Sequence, residues 1–164
     1  MSLAVKRLAN QVLENHVQMD NTVIIGIQPR GIFLSDRIVA AIRAEIATTF
    51  FYGKLDITFY RDDIRKELHM PNQTDISFSI EGKKVVLIDD VLYTGRTIRA
   101  ALDALMDFGR PEKVELLALI DRRYSRQLPI QPDYTGRVID SIVSQKVKVL
   151  WSEKDKKDEV ILVD

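Results

Sequence analysis

The 164-residue sequence contains no cysteine. That absence excludes a disulfide framework, a thiol nucleophile and any zinc site built on thiolates. An excess of charge of one sign is missing too, because 24 Lys and Arg balance 24 Asp and Glu. A strongly basic nucleic-acid binder or a polyanion mimic is therefore not expected, although a local basic patch stays open. No apolar run reaches bilayer-spanning length and the first residues do not read as a signal peptide, so a cytoplasmic protein is expected. There is no GxGxxG. Gly26…Gly31 has the spacing of a P-loop, but Ile32-Phe33 stand where Lys and Ser or Thr are required. Dinucleotide binding and nucleotide hydrolysis both lose support on that count. Internal repeats and low-complexity tracts are also absent.

What is present is enough apolar material, 46% of residues, for a core of one domain, 1–164. The most informative stretch is Lys84–Ala104, KVVLIDDVLYTGRTIRAALDA. Val85–Ile88 is a bare aliphatic run, the pattern of a parallel strand buried on both faces. Asp89 and Asp90 follow at once, then the turn Val91–Thr97, then Ile98, Ala101, Leu102 and Leu105 at helical spacing. A strand, an acidic pair, a turn of hydroxyls and glycine, and a helix suit a phosphorylated sugar. Unpaired N–H groups and the dipole at the helix start attract an anion. Gly95 permits close backbone approach. Thr94 and Thr97 can donate to phosphate oxygens, Arg96 adds charge, and two carboxylates can accept from ribose hydroxyls. Taken singly, an Asp-Asp or a Thr-Gly would be a solvated turn or a helix cap. The acidic pair is expected to face solvent when no ligand is bound.

Around that unit the chain reads as α/β, a parallel sheet flanked by helices. An amphipathic helix over 2–19 leads to a strand at Thr22–Ile27. Gly26–Gly31 then opens a second helix over about 32–44, either as a plain strand–helix turn or as a second anion loop carrying Arg30. Thr48–Tyr60 reads as a strand broken or bulged at Gly53. Residues 61–83 form a long polar loop, which suits a lid. His69 within it, and His16 near the end of the first helix, read as solvated rather than catalytic. Val114–Ile120 is another aliphatic strand, and Asp121 ends it on the same edge as Asp89, where open α/β sheets bind ligands. Lys146–Trp151 and Val160–Val163 read as strands around a charged turn, Ser152–Asp158, that looks like a solvated hairpin tip. Trp151 reads as core.

The segments LDITFYRDD (55–63), IDDVLYTGRTIRAALDAL (88–105), FGRP (108–111) and LPIQPDYTG (128–136) resemble the pyrimidine operon attenuation family of type I phosphoribosyltransferases. The resemblance runs from about residue 3 onwards. It implies a Rossmann-like fold with a lid at about 61–83 and a small hood from the N-terminal helix and about 134–147. It implies uracil phosphoribosyltransferase activity, forming UMP and diphosphate from uracil and phosphoribosyl diphosphate (PRPP) with Mg²⁺. Asp89, Asp90 and Arg61 would be catalytic. Asp89, Asp90, Tyr93, Thr94, Gly95, Arg96 and Thr97 would bind the ribose and 5′-phosphate, and Pro29, Arg30, Gly31 and Arg61 the diphosphate. A non-proline cis bond entering Arg30 is also implied. Asp121 and Arg122 would lie near the base. Mg²⁺ would be held mainly through PRPP and water, with Asp89 and Asp90 as further ligands.

The resemblance further implies a homo-oligomer, a dimer or higher, and, as the alternative function, a UMP-sensing regulator that binds a messenger-RNA leader. Lys6, Arg7, Arg123 and Arg126 are the candidate RNA contacts. The usual family form after the acidic strand is Asp-Arg-Gly-(His)-Arg-Glu-Leu-Pro. This chain has Asp121-Arg-Arg-Tyr-Ser-Arg-Gln-Leu-Pro129, one residue longer and without Gly or His, so RNA binding is expected to be weak or absent. A purine enzyme of the same superfamily would place a Lys and an aromatic residue on the base, and no such match is found.

Overall fold

A computed structural model describes residues 1–62, 72–140 and 145–163. Five parallel strands form the main sheet: β1 Thr22–Ile27, β2 Phe51–Leu55, β3 Lys84–Leu92, β4 Lys113–Arg123 and β5 Tyr134–Asp140. Their spatial order is β2-β1-β3-β4-β5. Helix α1 spans Ser2–Asn15, α2 Gly31–Glu45 and α3 Arg96–Leu105. The aliphatic run in β3 is explained by burial on both sides. Val86 and Ile88 pack with Leu8 and Val12 of α1 and Leu34 and Ile38 of α2. Val85 and Leu87 pack with Ile98, Ala101 and Leu105 of α3. Alternate residues of one strand thus serve two cores.

The connections from β1 through α2 to β2 and from β3 through α3 to β4 run in opposite directions along the sheet. Between them a crevice opens beyond the C-terminal ends of β1 and β3, the switch point where α/β sheets take ligands. A separate antiparallel hairpin, β6 Lys146–Leu150 and β7 Glu159–Val163, follows the sheet, with a one-turn helix α4, Ser152–Asp155, at its tip. Trp151 is wholly buried and packs in the core shared by α1 and α2.

Two boundaries differ from the sequence reading. Helix α1 stops at Asn15 rather than 19, because the His16 side chain is buried in a polar network. The strand read over 48–60 is only Phe51–Leu55. Asp56 ends it by accepting from the Thr58 N–H (3.1 Å) and hydroxyl (2.7 Å), a local bond that competes with the ladder. Its pairing with β1 runs without interruption past Gly53, so there is no bulge. Gly53 instead leaves room for Asp75 and Phe78 of the returning segment. That segment is fastened rather than loose. Lys54 and Asp75 exchange backbone hydrogen bonds (2.9 and 2.8 Å), Phe78 stacks on Phe51 and Ile80 is buried. The remainder of the expected lid, 63–71 with His69, lies outside the described residues.

Candidate functional site

The site is built where two helices begin. After β1 the chain turns through Gln28-Pro29-Arg30 and enters α2 at Gly31. After β3 it turns through Tyr93-Thr94-Gly95 and enters α3 at Arg96. No side chain caps either helix at its N-cap residue, so backbone N–H groups are left for an anion at both. Gly95 has φ +91°, the left-handed conformation that side chains resist. The cis peptide bond of the first turn is Gln28–Pro29, not the bond entering Arg30 that the resemblance implied. Proline's tertiary amide is what makes a cis form accessible there.

Asp89, Leu92, Tyr93, Thr94, Gly95, Arg96, Thr97, Arg61 and Gln127 are among the residues lining one cleft of about 320 Å³. A second cleft, about 440 Å³, is lined by Arg30, Asp90, Val91, Val147, Lys148, Val149, Leu150 and Asp155. The acidic pair is the partition between them, with one carboxylate on each side.

Asp89 and Asp90 are buried, contrary to the expectation that they face solvent. The cause is local. Strand β3 continues through them to Leu92, paired with β4 at Asp89↔Ala118 and Val91↔Ile120, and Gly31 packs on the Ile88–Asp89 backbone. The Asp90 N–H donates to Asp89 Oδ1 (2.9 Å). Burial pushes both carboxyls above their usual range, Asp89 well above it, and the neighbouring Asp90 charge adds to the rise of Asp89. Arg61 pulls Asp89 back down. Arg30, whose Nε is 3.5 Å from Asp90 Oδ2, does the same for Asp90, with help from the nearby Trp151 indole. That indole N–H is buried and completes no hydrogen bond of its own. A buried, reluctantly ionised carboxylate pair flanked by two arginines and two helix N-termini is suited to an incoming sugar phosphate with its cation.

The remaining predicted residues fall around this centre. Arg96 is exposed and bonds Gln127 (2.7 Å) and Asp62 (3.0 Å). Asp121 and Arg122 are buried at the end of β4, where Asp121 pairs with Leu92 across the strands. The Arg122 guanidinium stacks on the Tyr93 ring at 3.9 Å and donates to the Gln145 carbonyl (2.8 Å), linking the turn after β3 to the segment entering β6.

Arg126, read as an RNA contact, turns inward instead. It donates to the carbonyls of Tyr93 (2.5 Å), Arg122 (3.1 Å) and Ile130 (2.8 Å) and to Asp121. It thereby staples the turn after β3 from behind. Arg7 donates to the Gly136 carbonyl, and Arg123 makes a two-pronged pair with Asp140 (2.8 and 3.0 Å). Lys6 is exposed on α1.

Three further residues near the site were not singled out from the sequence as functional. Gln127 lines the cleft on the Asp89 side, and Trp151 and Asp155 close the side facing Asp90. Glu153, Asp155 and Asp158, read as a solvated tip, spend their charge on arginines of α2 and its entry turn. The acidic spacing was visible in the sequence, but its partners, more than a hundred residues earlier, were not.

The polar network at the other end of the sheet also departs from the sequence reading. His16 is buried, not solvated. Its Nε2 donates to Glu115 Oε2 (2.7 Å), and its Nδ1 lies 3.0 Å from the Thr22 hydroxyl. Burial alone would raise Glu115, but hydrogen bonds from Lys113, Tyr134 and His16 outweigh it and hold the carboxyl at about 2.

The profile of the phosphoribosyl transferase domain matches residues 1–154. A relative from Picosynechococcus sp., named Bifunctional protein PyrR, is 44% identical over 99% of this chain and 92% of its own length. One of the same name from Desulfosudis oleivorans is 46% identical, covering 95% and 87%. The chain belongs to the PyrR family of phosphoribosyltransferases. Solved structures agree on the fold of this PyrR-family chain. A hypoxanthine-guanine phosphoribosyltransferase of Bacillus anthracis superposes with a TM-score of 0.65 at 18% identity, over 84% of this chain and 76% of that one. A hypoxanthine phosphoribosyl transferase of Trypanosoma cruzi does so with 0.71 at 14% identity, over 99% and 86%. Among the described residues no helix is long and apolar enough to cross a membrane.

Proposed function

We propose that this protein is a uracil phosphoribosyltransferase that forms UMP and diphosphate from uracil and PRPP, the whole chain working as one domain with a lid and a hood. The observation that carries the reading is the partition of the crevice by Asp89 and Asp90. The phosphate turn Thr94–Thr97 lies on one side, and Arg30 with the β6 backbone lies on the other. The 5′-phosphate takes the N-terminus of α3 and the hydroxyls of Thr94 and Thr97. The ribose hydroxyls face the acidic pair. The diphosphate takes the turn Pro29–Gly31, with Arg30 as the cation on that side and Arg61 facing it from the Asp89 side of the partition. The base lies toward Asp121, Arg122 and the hood.

In the reaction uracil N1 bonds to C1 of the ribose, the C1–O bond to diphosphate breaks, and the N1 proton is released. The charge of an oxocarbenium-like centre develops at C1 beside the buried carboxylates, and the arginines receive the growing charge on diphosphate. The described residues contain no group of three or more side chains that could hold a metal ion. Two carboxylates alone fit Mg²⁺ that arrives with substrate phosphates and keeps its waters. Asp89 and Asp90 would hold it there, and its charge would neutralise the leaving diphosphate. The protein's own residues orient the sugar, bind both anionic ends and exclude water.

The test is product analysis with PRPP, Mg²⁺ and a panel of free bases. UMP from uracil is expected, and a purine nucleotide or no nucleotide overturns the reading. A second role, as a regulator that binds a messenger-RNA leader and senses UMP, is supported by the word Bifunctional in the relatives' name. Three of the four basic side chains considered for it are tied to other parts of the protein. Gel shifts with the leader of the organism's own pyrimidine genes, with UMP and at several salt concentrations, separate specific binding from background charge attraction.

A further inference from the structure

On the Asp90 side of the partition the guanidinium of Arg30 is shared out nitrogen by nitrogen. Its Nε faces Asp90 Oδ2 at 3.5 Å. Its Nη2 donates to the Val149 carbonyl and pairs with Asp155 Oδ2 at 3.5 Å. Nη1 makes no hydrogen bond among the described residues. Both Nη2 partners belong to the hairpin unit, one on β6 and one on α4. Asp155 is itself fixed. Its Oδ2 accepts from the Trp151 N–H (2.9 Å), and its own N–H donates to the Trp151 carbonyl (2.6 Å). Trp151 is locked in the core. Arg37 of α2 holds the outer side of the same turn, bonding Glu153 (2.8 and 3.0 Å) and Asp158 (2.7 and 2.9 Å) with its guanidinium 4.9 Å over the indole.

We propose that Asp155 is a positioning residue for diphosphate recognition: with the Val149 carbonyl it anchors Nη2 of Arg30, so that Nη1 is presented to the diphosphate. The inference rests on the phosphoribosyltransferase reading above and assigns a task to a carboxylate outside the signature turn. An arginine on an exposed turn loses several rotamers when it grips an anion. Here the loss is taken in the folded protein before substrate arrives, since the guanidinium is already clamped between two carboxylates and a carbonyl. A planar fork suits this division, because one nitrogen can be anchored while another binds. The hairpin therefore contributes to PRPP binding without touching PRPP.

The experiment measures binding of PRPP with Mg²⁺, and of inorganic diphosphate with Mg²⁺, by calorimetry, in wild type, Asp155→Asn, Arg30→Gln and the double variant. Asp155→Asn keeps an acceptor for the Trp151 N–H and removes the charge that faces Arg30. About three- to tenfold weaker binding of both ligands is expected, the size of one charge-assisted contact. In the Arg30→Gln background the same substitution should have no effect, because its route of action is gone. The KM for PRPP should rise while that for uracil stays, a split that general loosening of the hairpin would not produce. Should Asp155→Asn fail to fold, Asp155→Ser keeps a cap for Trp151 and replaces it in the cycle. Unchanged affinity in the variant overturns the proposal. An effect of equal size in both backgrounds overturns it as well. Wild-type protein that binds neither ligand overturns the functional reading, and this proposal with it.

Discussion

Gly31 stands so close to Asp89 that a methyl group on its α-carbon would sit 2.6 Å from the Ile88 carbonyl oxygen and 3.1 Å from the Asp89 α-carbon. The contact holds the start of α2, which offers N–H groups to an anion, against the end of the strand that carries the acidic pair. Gly31→Ala must push the two apart, since backbone lies on the far side and cannot yield cheaply. A loss of about 1–3 kcal/mol in stability is expected from overpacking, with weaker diphosphate binding than in wild type. Chemical denaturation and calorimetry with Mg²⁺-diphosphate check both. An alanine variant with wild-type affinity would show that the approach of these two backbones is not needed for binding.

Removing one acidic charge should stabilise the protein. Both carboxyls are raised by burial, so the folded state disfavours their ionisation. A group with a raised folded pKa costs no stability below its unfolded value, and the cost grows as pH rises toward the folded one. Asp90→Asn should therefore melt higher than wild type at neutral pH, and the gap should close as pH falls to about 4. Turnover should fall at the same time. A lower melting temperature at pH 7 would contradict the account.

Glu115 behaves in the opposite sense. Its carboxyl is held at about 2 in the folded protein, below its unfolded value. It contributes stability above the unfolded pKa, and that contribution is lost as pH falls from about 4.5 toward 2. Glu115→Gln should flatten this part of the melting temperature–pH curve. It should also cost about 1–3 kcal/mol at neutral pH, as the partners of a buried acceptor lose their charge-assisted bonds. PRPP affinity at neutral pH should hardly change, because the network is at the opposite end of the sheet.

Arg126 should matter for PRPP rather than for RNA. Arg126→Met removes the donors that the carbonyls of Tyr93 and Arg122 and the carboxylate of Asp121 now use. The phosphate turn loses its backing, and PRPP affinity should drop about tenfold, the weight of a partly buried ionic bond with its neighbours. A gel shift that changed while PRPP binding did not would reverse the assignment.

Gly95→Val should weaken PRPP binding more than Thr97→Ala. The alanine removes one hydroxyl. The valine must adopt φ +91° and meet Ile130 at 3.2 Å, a strained conformation for a β-branched residue. Equal effects of the two substitutions on affinity would show that the shape of the turn is less important than its donors.

Much of the fold could be read from local pattern. The bare aliphatic strands β1, β3 and β4 and the apolar spacing of α3 are short-range signals of burial, and they located the acidic pair and the turn that follows it. Most of the misreadings have their physical origin in partners far along the chain. Nothing near Asp89 announces that Gly31 will cover it, and nothing near His16 points to Glu115. Leu55, Ile57 and Phe59 alternate as a strand does, yet the bond from Thr58 to Asp56 turns the chain and leaves Phe59 exposed. Arg126 and Asp155 look like surface charge until the carbonyls and guanidinium they serve are seen.

The place of Trp151 in chain order bears on synthesis. A ribosome delivers the five strands of the sheet and the three helices that cover it before it delivers residue 151. Until then Phe33, which lies 6.2 Å from the indole in the finished protein, faces a hollow beside the acidic pair, and Arg37 has no ring to cover. An emerging chain can thus close its sheet while the Asp90 side of the crevice is still open and Phe33 uncovered. At about 5–20 residues per second, the chain from Asp140 to Trp151 takes about 0.5–2 s to make. It is then that a nascent chain of this fold has most need of a chaperone's cover.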